Sequence, residues 1–347
     1  MKLNHKKLLI SQDKTILEAL EILNNLKNIS RLILFVHNKN MSIIGSLTDG
    51  DIRRSLVKNK NVHLPVGKIC FKNFSFEYDS NNYLNLEKYR SQNIVILPIL
   101  NADKTIVRIL DLEKTKSVLP VECVIMAGGR GKRLSPLTDK IPKPMLMLGG
   151  KPIIEHNIDL LISYGIKKIH ITINYLGSKI KEYFGDGSSK GIEIKYIKEE
   201  KFLGTAGSLS LIKKFSSKEI ILMNSDLFTN INLENLYKKL ILNNLDMVIA
   251  SKGYKVDIPY AIFKTGTKNK IISFEEKPTY NYSSNAGIYI FKKELVSLIP
   301  KNIFYDITDL INNALKTNKN ISHEPIKGFW IDIGSPHDYK KAQDRVN

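Results

Sequence analysis

Cysteine is scarce: Cys70 and Cys123 are the only two in 347 residues. Two thiols make no disulfide framework and no Cys/His cluster accompanies them, which excludes a disulfide-stapled scaffold and a zinc site. Long apolar runs are also missing. The opening Met-Lys-Leu-Asn-His-Lys-Lys leads only into Leu8-Leu9-Ile10 before polar residues return. That is too short for the apolar part of a signal peptide, and no later run approaches a membrane span. A reduced, cytoplasmic protein with no membrane partner is expected. Acidic residues are in deficit: 34 Asp and Glu against 53 Lys and Arg leave a formal charge of +19. Such an excess raises nucleic acid, an acidic membrane surface or phosphorylated small molecules as partners. No basic helix or aromatic-rich readout motif supports nucleic acid. What is present is globular composition, 43% hydrophobic and 25% charged, which excludes a mostly disordered chain. The length exceeds what one ordinary core organises, so two domains are expected.

Two sequence regimes meet near residue 120, giving expected domains of 1–118 and 119–347. In the first, residues 15–27 carry apolar side chains at 16, 17, 20, 23 and 26, a helical stripe. Residues 31–36 and 43–47 read as buried strands, and weaker strand and helix patterns recur over 83–90, 94–100 and 105–110. The order helix, strand, strand, helix is expected twice, as an imperfect internal duplication. From Val121 strands and helices alternate. Runs over 122–126, 168–173, 219–223 and 245–251 read as strands and 153–164 as a helix, which implies parallel βαβ units in a covered sheet. In such folds ligands sit beyond the carboxyl ends of strands. The glycines from Gly128 to Gly131 and Asp226 fall at such ends.

The strongest signal is Ala127-Gly128-Gly129-Arg130-Gly131-Lys132-Arg133-Leu134-Ser135-Pro136-Leu137-Thr138, followed by Pro142-Lys143-Pro144-Met145. Glycines directly after a strand let backbone amides approach and cradle phosphate oxygens. The segment is not a Walker loop, since Arg133 stands where Ser or Thr is needed, and it does not match the dinucleotide fingerprint. It resembles the signature of sugar-1-phosphate nucleotidyltransferases, and five further segments resemble that family's motifs in order. These are Leu203-Gly204-Thr205-Ala206-Gly207-Ser208, Asn224-Ser225-Asp226, Glu275-Glu276-Lys277-Pro278, Asn285-Ala286-Gly287-Ile288-Tyr289 and Trp330-Ile331-Asp332-Ile333-Gly334-Ser335. Together they cover residues 121–347. The resemblance implies an α/β, Rossmann-like catalytic domain with a mixed, mostly parallel sheet.

It also implies a reaction between two anions, a nucleoside triphosphate and a sugar 1-phosphate, in which charge neutralisation and in-line positioning carry catalysis. By resemblance Asp226 and Asp332 hold Mg²⁺, a hard cation suited to carboxylate and phosphate oxygens. Arg133 stabilises the triphosphate and the departing pyrophosphate, Lys143 contacts the nucleotide phosphates, and Lys277 the phosphate of the sugar. Ala127, Gly128, Gly129, Gly131, Glu199, Gly204 and Thr205 bind the nucleotide, and Glu276, Asn285 and Gly287 the sugar. No general base is needed, because a phosphate dianion is already the nucleophile. Taken singly, Asp332 also reads as a helix-capping acid, Asp226 as a turn residue, Lys277 as solvated surface and Trp330 as packing.

Glu199 stands five residues before Gly204, the family's base-reading register. A carboxylate accepts two hydrogen bonds and donates none, matching guanine's N1–H and N2–H₂ edge, which favours GTP. The counter-reading is an exposed strand-end carboxylate. In the first domain Ile44-Gly45-Ser46-Leu47-Thr48-Asp49-Gly50-Asp51 resembles the end of a CBS motif. A CBS pair is implied, its second copy degenerate, with Thr48 and Asp49 approaching a regulatory nucleotide. The competing reading is that Asp49-Gly50-Asp51 merely caps a helix. This layout resembles the guanylyltransferases that open a GDP-linked legionaminic acid route to flagellin glycosylation. That implies a homo-oligomer using GTP and glucosamine 1-phosphate. Mannose- or heptose-1-phosphate guanylyltransferases, uridylyl- or thymidylyltransferases, and a silent nucleotide-binding subunit are the alternatives.

Overall fold

A computed structural model describes residues 5–26, 30–80 and 82–346. The chain divides into two compact units. One ends at Pro120 and takes in Ile162–Gly165 and Ser189–Gly191; the other begins at Val121 and holds the rest.

The first unit contains two three-stranded sheets of one design. β1 (Leu9–Ser11), α1 (Ile16–Asn24), β2 (Ile33–His37), β3 (Ile43–Thr48) and α2 (Asp49–Asn59) form the first copy. β4 (Glu77–Tyr78), α3 (Glu87–Arg90), β5 (Ile96–Leu100) and β6 (Ile106–Asp111) form the second. In each, the central strand pairs parallel with the strand before the helix and antiparallel with its successor. Leu8, Phe35 and Ile43 of the first copy pack with Ile96, Leu100 and Ile109 of the second. α1 starts at a Thr15–Glu18 capping box, and Ile16, Ala19 and Leu23 are its buried stripe. Lys27, where the expected helix ends, lies outside the described residues. The expected closing helix of the second copy is not formed. After Asp111 the chain makes a turn and reaches Pro120 within nine residues, too few for a helix plus the entry into the next strand.

The second unit is built on a seven-stranded sheet. Its early elements are β7 (Val121–Met126), a small ribbon of β8 (Met147–Leu148) with β9 (Lys151–Pro152), α4 (Ile153–Ser163), β10 (Lys168–Ile173), α5 (Gly177–Phe184), β11 (Glu193–Lys198), β12 (Glu219–Asn224), β13 (Leu227–Thr229) and α6 (Leu233–Leu242). There follow β14 (Met247–Asp257), β15 (Ile262–Thr265), β16 (Ile271–Glu275), β17 (Thr279–Lys292), α7 (Ile307–Lys316), β18 (Ile321–Pro325), β19 (Trp330–Asp332) and α8 (Pro336–Val346). The sheet order is β11-β10-β7-β12-β17-β14-β18, and β17 alone runs against the others. The sheet is therefore mixed and mostly parallel, as the family resemblance implied, with β17 departing from the parallel units expected from the strand runs. Central strands such as β7 and β12 read as near-continuous apolar runs because both faces are covered. On one face Val124, Leu222, Met247, Tyr289 and Phe291 pack with Leu209, Leu295, Ile307 and Leu310. The chain leaves β7 toward β10 and β11 on one side, then returns to β12 on the other. A crevice opens beyond the strand ends at such a reversal. Among the described residues no helix is long and apolar enough to cross a membrane.

Candidate active site

The crevice at that reversal is a cleft of about 310 Å³. Gly128, Gly129, Gly131, Arg133, Lys143, Glu199, Gly204, Thr205 and Asp226 all line it, with Lys132, Phe202, Asn224, Ser225 and Gly334. Three strand ends and one distant strand supply these groups.

The loop after β7 is anchored at both ends. Ala127 is buried and its N–H donates to the Thr172 carbonyl at 3.1 Å, extending the β7–β10 ladder by one residue. Gly131 is left-handed (φ 62°), and a Cβ there would stand 2.9 Å from the Lys143 Cβ, so only glycine fits. Thr138 closes the loop by donating to the Gly131 carbonyl at 2.9 Å. Leu134, Leu146, Ile153, Ile331 and Ile333 form one apolar cluster, which ties the loop to the strand bearing Asp332.

β13 and β19 pair antiparallel with Leu227 opposite Asp332, and the Ile333 N–H donates to the Asp226 carbonyl at 3.1 Å. This brings the two acids, 106 positions apart in the chain, to one place. Lys143, only 9% exposed, makes an ion pair with Asp226 Oδ2. Asp226 Oδ1 is buried and has no hydrogen-bond partner. Asp332 is held above the usual carboxylate range by burial first and by the Asp226 charge second, with Lys143 and Arg133 partly offsetting both. Two neighbouring carboxylates, one with an orphaned oxygen, form a donor set that fits a hard divalent cation. No group of three or more His, Cys, Asp or Glu suited to a metal occurs among the described residues. A pair of acids leaves most of a Mg²⁺ shell for phosphate and water, the usual arrangement for that ion.

Glu199 closes the opposite wall. It is 3% exposed, and its Oε1 would lie 3.0 Å from a Cβ placed on Gly128, so the carboxylate reaches the glycine loop. Burial raises its pKa, opposed by hydrogen bonds from the Leu203 N–H (3.2 Å) and the Thr172 and Ser208 hydroxyls. Exposed Phe202 sits beside it, 5.8 Å centroid to centroid from Phe304.

The residues expected to bind the sugar are placed differently, none of them in the cleft lining. Gly287 is left-handed (φ 71°), and a Cβ there would meet Asn224 Nδ2 at 2.6 Å, so β17 runs directly against the cleft wall. Asn285 accepts the Gly287 N–H at 3.0 Å, and Trp330 donates its indole N–H to the Ala286 carbonyl at 2.8 Å, a packing role. Glu276 and Lys277 lie in the exposed turn between β16 and β17 and are not part of the cleft lining. Lys277 is itself left-handed (φ 45°), uncommon for a residue with a Cβ.

Thr48 caps α2. Its hydroxyl donates to Asp51 Oδ2 at 2.6 Å, and Asp49 pairs with Arg53 at 3.0 Å. The open depression of that unit, about 540 Å³, is lined by Arg31, Arg90, Asn93, Ile94, Val95, Leu112 and Glu113, and includes neither Thr48 nor Asp49.

Two residues that shape the cleft carry no motif. Asn157, buried on α4, donates to the Ser225 carbonyl at 3.2 Å and steadies the turn before Asp226. Asp306, at the head of α7, accepts from Thr205. The only sequence signal at Asp306 is the acid-x-x-acid pattern of a helix start.

Residues 122–347 match the family model described as Nucleotidyl transferase. A D-glycero-alpha-D-manno-heptose 1-phosphate guanylyltransferase from Campylobacter jejuni is 33% identical over 223 residues, 63% of this chain and 97% of that protein. The bifunctional protein GlmU of Methanococcus maripaludis is 31% identical over 236 residues, 65% of this chain and 54% of the relative. The chain thus spans about half the length of the GlmU proteins it matches. A mannose-1-phosphate guanylyltransferase from Mycobacterium tuberculosis is 28% identical, covering 64% and 63%. In fold, the second unit is similar to HddC from Yersinia pseudotuberculosis complexed with GMP-PN, at a TM-score of 0.52 and 24% identity over 65% of this chain and 99% of that one.

Proposed function

Because the chain belongs to the nucleotidyl transferase family, we propose that it transfers a nucleoside monophosphate from a triphosphate to a sugar 1-phosphate, releasing pyrophosphate. The observation that carries this is the meeting of Arg133, Lys143 and Asp226 in one cleft at the carboxyl ends of β7 and β12, with Asp332 outside the lining but close enough to feel the charge of all three. A sugar-phosphate oxygen forms a new bond to the α-phosphorus, and the bond from the α-phosphorus to the oxygen bridging it to the β-phosphate breaks. Arg133 faces the polyphosphate, with a planar fork suited to its oxygens. Lys143 is held at the reacting centre by Asp226, ready to meet the α-phosphate. Asp226 and Asp332 would hold Mg²⁺, which when bound neutralises developing phosphate charge. Lys277 and Glu276 would serve the sugar phosphate from the β16–β17 turn, and Asn285 and Gly287 the sugar ring.

GTP is the favoured donor. Glu199 presents a buried acceptor to the cleft, matching the donor edge of guanine, and the Campylobacter and Mycobacterium relatives are guanylyltransferases. Glucosamine 1-phosphate is the favoured acceptor, for a legionaminic acid and flagellin glycosylation route. Heptose or mannose 1-phosphate is the second reading, favoured by the names of those two relatives. The first unit, with its two sheets of one design, is read as a CBS pair that binds a regulatory nucleotide or joins copies into a homo-oligomer. The protein would act in the cytoplasm.

Pyrophosphate release measured across the four nucleoside triphosphates and a panel of sugar 1-phosphates tests the assignment. Release with GTP and glucosamine 1-phosphate above all other pairs is expected. Release with none would leave a silent nucleotide-binding subunit.

A further inference from the structure

Thr205 lines the cleft, yet both of its polar groups are engaged away from it. Its N–H and its hydroxyl donate to Asp306 Oδ1 at 2.9 and 3.0 Å, and the hydroxyl accepts the Ile307 N–H at 2.9 Å. The backbone is joined there as well. The Tyr305 N–H donates to the Leu203 carbonyl at 2.9 Å, and the Ala206 and Gly207 N–H groups donate to the Tyr305 carbonyl at 3.0 and 2.9 Å. Gly204 is left-handed (φ 81°), and a Cβ on it would stand 2.8 Å from the Tyr305 oxygen and 2.9 Å from Asp306 Oδ1. Asp306 is fixed in turn, its N–H donating to Asp309 Oδ2 at 2.9 Å.

Residues 203–207 therefore take their shape from the head of α7, about a hundred residues further along the chain. The consequence reaches Glu199, whose Oε2 accepts the Leu203 N–H at 3.2 Å. Asp306 itself is not part of the cleft lining.

We propose that Asp306 is a positioning residue for the nucleoside part of the triphosphate: through Thr205 it sets the Gly204 backbone and, through Leu203, the orientation of Glu199. A carboxylate oxygen accepting two hydrogen bonds in a partly buried place is a strong local constraint, and its loss leaves two donors without a partner. The inference rests on the reading that this cleft takes a nucleoside triphosphate.

The test measures GTP binding by calorimetry in the presence of Mg²⁺, together with steady-state kinetics for both substrates, in the full chain. Asp306→Ala should weaken GTP binding and raise its KM about tenfold, because the loop that orients Glu199 loses its anchor, while KM for the sugar 1-phosphate stays within about twofold. Asp306→Asn keeps an oxygen acceptor and should restore most of the affinity. Thr205→Val keeps the backbone bond to Asp306 and loses the hydroxyl's, so it should give a smaller loss in the same direction, and the double variant should add little to Asp306→Ala, because the two act as one unit. If Asp306→Ala fails to fold, Thr205→Val and Asp306→Asn carry the same comparison. Unchanged GTP affinity in folded Asp306→Ala or Thr205→Val, or an equal rise in both KM values, overturns the inference. Wild-type protein that binds GTP but releases no pyrophosphate defeats the assigned reaction alone, since binding still reports on Asp306. Wild-type protein that binds none of the four nucleoside triphosphates defeats both.

Discussion

The two sides of the second unit's cleft are built in opposite ways. On the side proposed for the nucleotide several candidate groups are held by defined hydrogen bonds: Ala127 by β10, Gly131 by Thr138, Thr205 by Asp306 and Glu199 by Leu203. On the sugar side β14 and β17 run beyond the sheet as a two-stranded ribbon, Lys252 to Asp257 against Thr279 to Ser284. The β15–β16 hairpin, between β14 and β17 in sequence, has every residue of β16 exposed. A two-stranded ribbon has little stability of its own. The nucleotide side is thus preorganised, which favours tight binding at low ordering cost, whereas the turn carrying Glu276 and Lys277 has few contacts to hold it. The expected order of substrate entry is triphosphate first, into the formed half.

The largest effect should come from Asp226, the cleft acid paired with Lys143. Asp226→Asn removes a metal charge and the partner of Lys143, and should lower kcat by at least ~10²-fold. Circular dichroism should show an intact fold, and turnover near the wild-type level would refute the metal role.

Lys277→Ala should raise KM for the sugar 1-phosphate by roughly tenfold and leave KM for GTP within about twofold, because one charge-assisted contact to one substrate is lost. An equal change in both values would mean that the ribbon serves the whole cleft and that the contrast between its sides is false.

Glu199→Gln keeps the shape and replaces an acceptor by a donor, so the preference for GTP over UTP should fall by about tenfold. The same variant has a pH signature. Burial raises the folded-state pKa of Glu199. Its contribution to stability is therefore fully present below the unfolded carboxylate value and lost as pH rises through the folded one. Gln has no such loss, so Glu199→Gln should gain Tm relative to wild type at neutral pH and not near about pH 4. A constant difference across that range would mean that Glu199 is not buried in solution.

The contrast also marks how much was legible in the sequence. Strands such as Val121–Met126 and Glu219–Asn224 are apolar runs ending in glycine or acid, so both their type and their chemistry could be read from the chain. Glu276 and Lys277 have no periodicity around them and entered only through resemblance to a family. Asp306 and Asn157 were not legible, because each acts through hydrogen bonds to chain 101 and 68 residues away, a relation that local pattern does not encode. The missing closing helix after Asp111 shows the limit of reading by duplication. The second copy keeps its strands' apolar pattern, but the short passage from Asp111 to Pro120 leaves no room for the helix that the first copy has.

The smallest effect should fall on the hairpin face. Ile272 is 72% exposed and Phe274 67%, so replacing either by Ser removes little buried apolar area. Each should shift stability by no more than ~0.5 kcal/mol, the usual range for a surface position. Leu209→Ala, in the fully buried cluster behind the nucleotide side, should cost about 2–5 kcal/mol. Urea denaturation of the three variants compares them directly. A loss of about 2 kcal/mol or more on Ile272→Ser, the size of a core truncation, would show that the hairpin is covered in solution. The sugar side would then be as fixed as the nucleotide side.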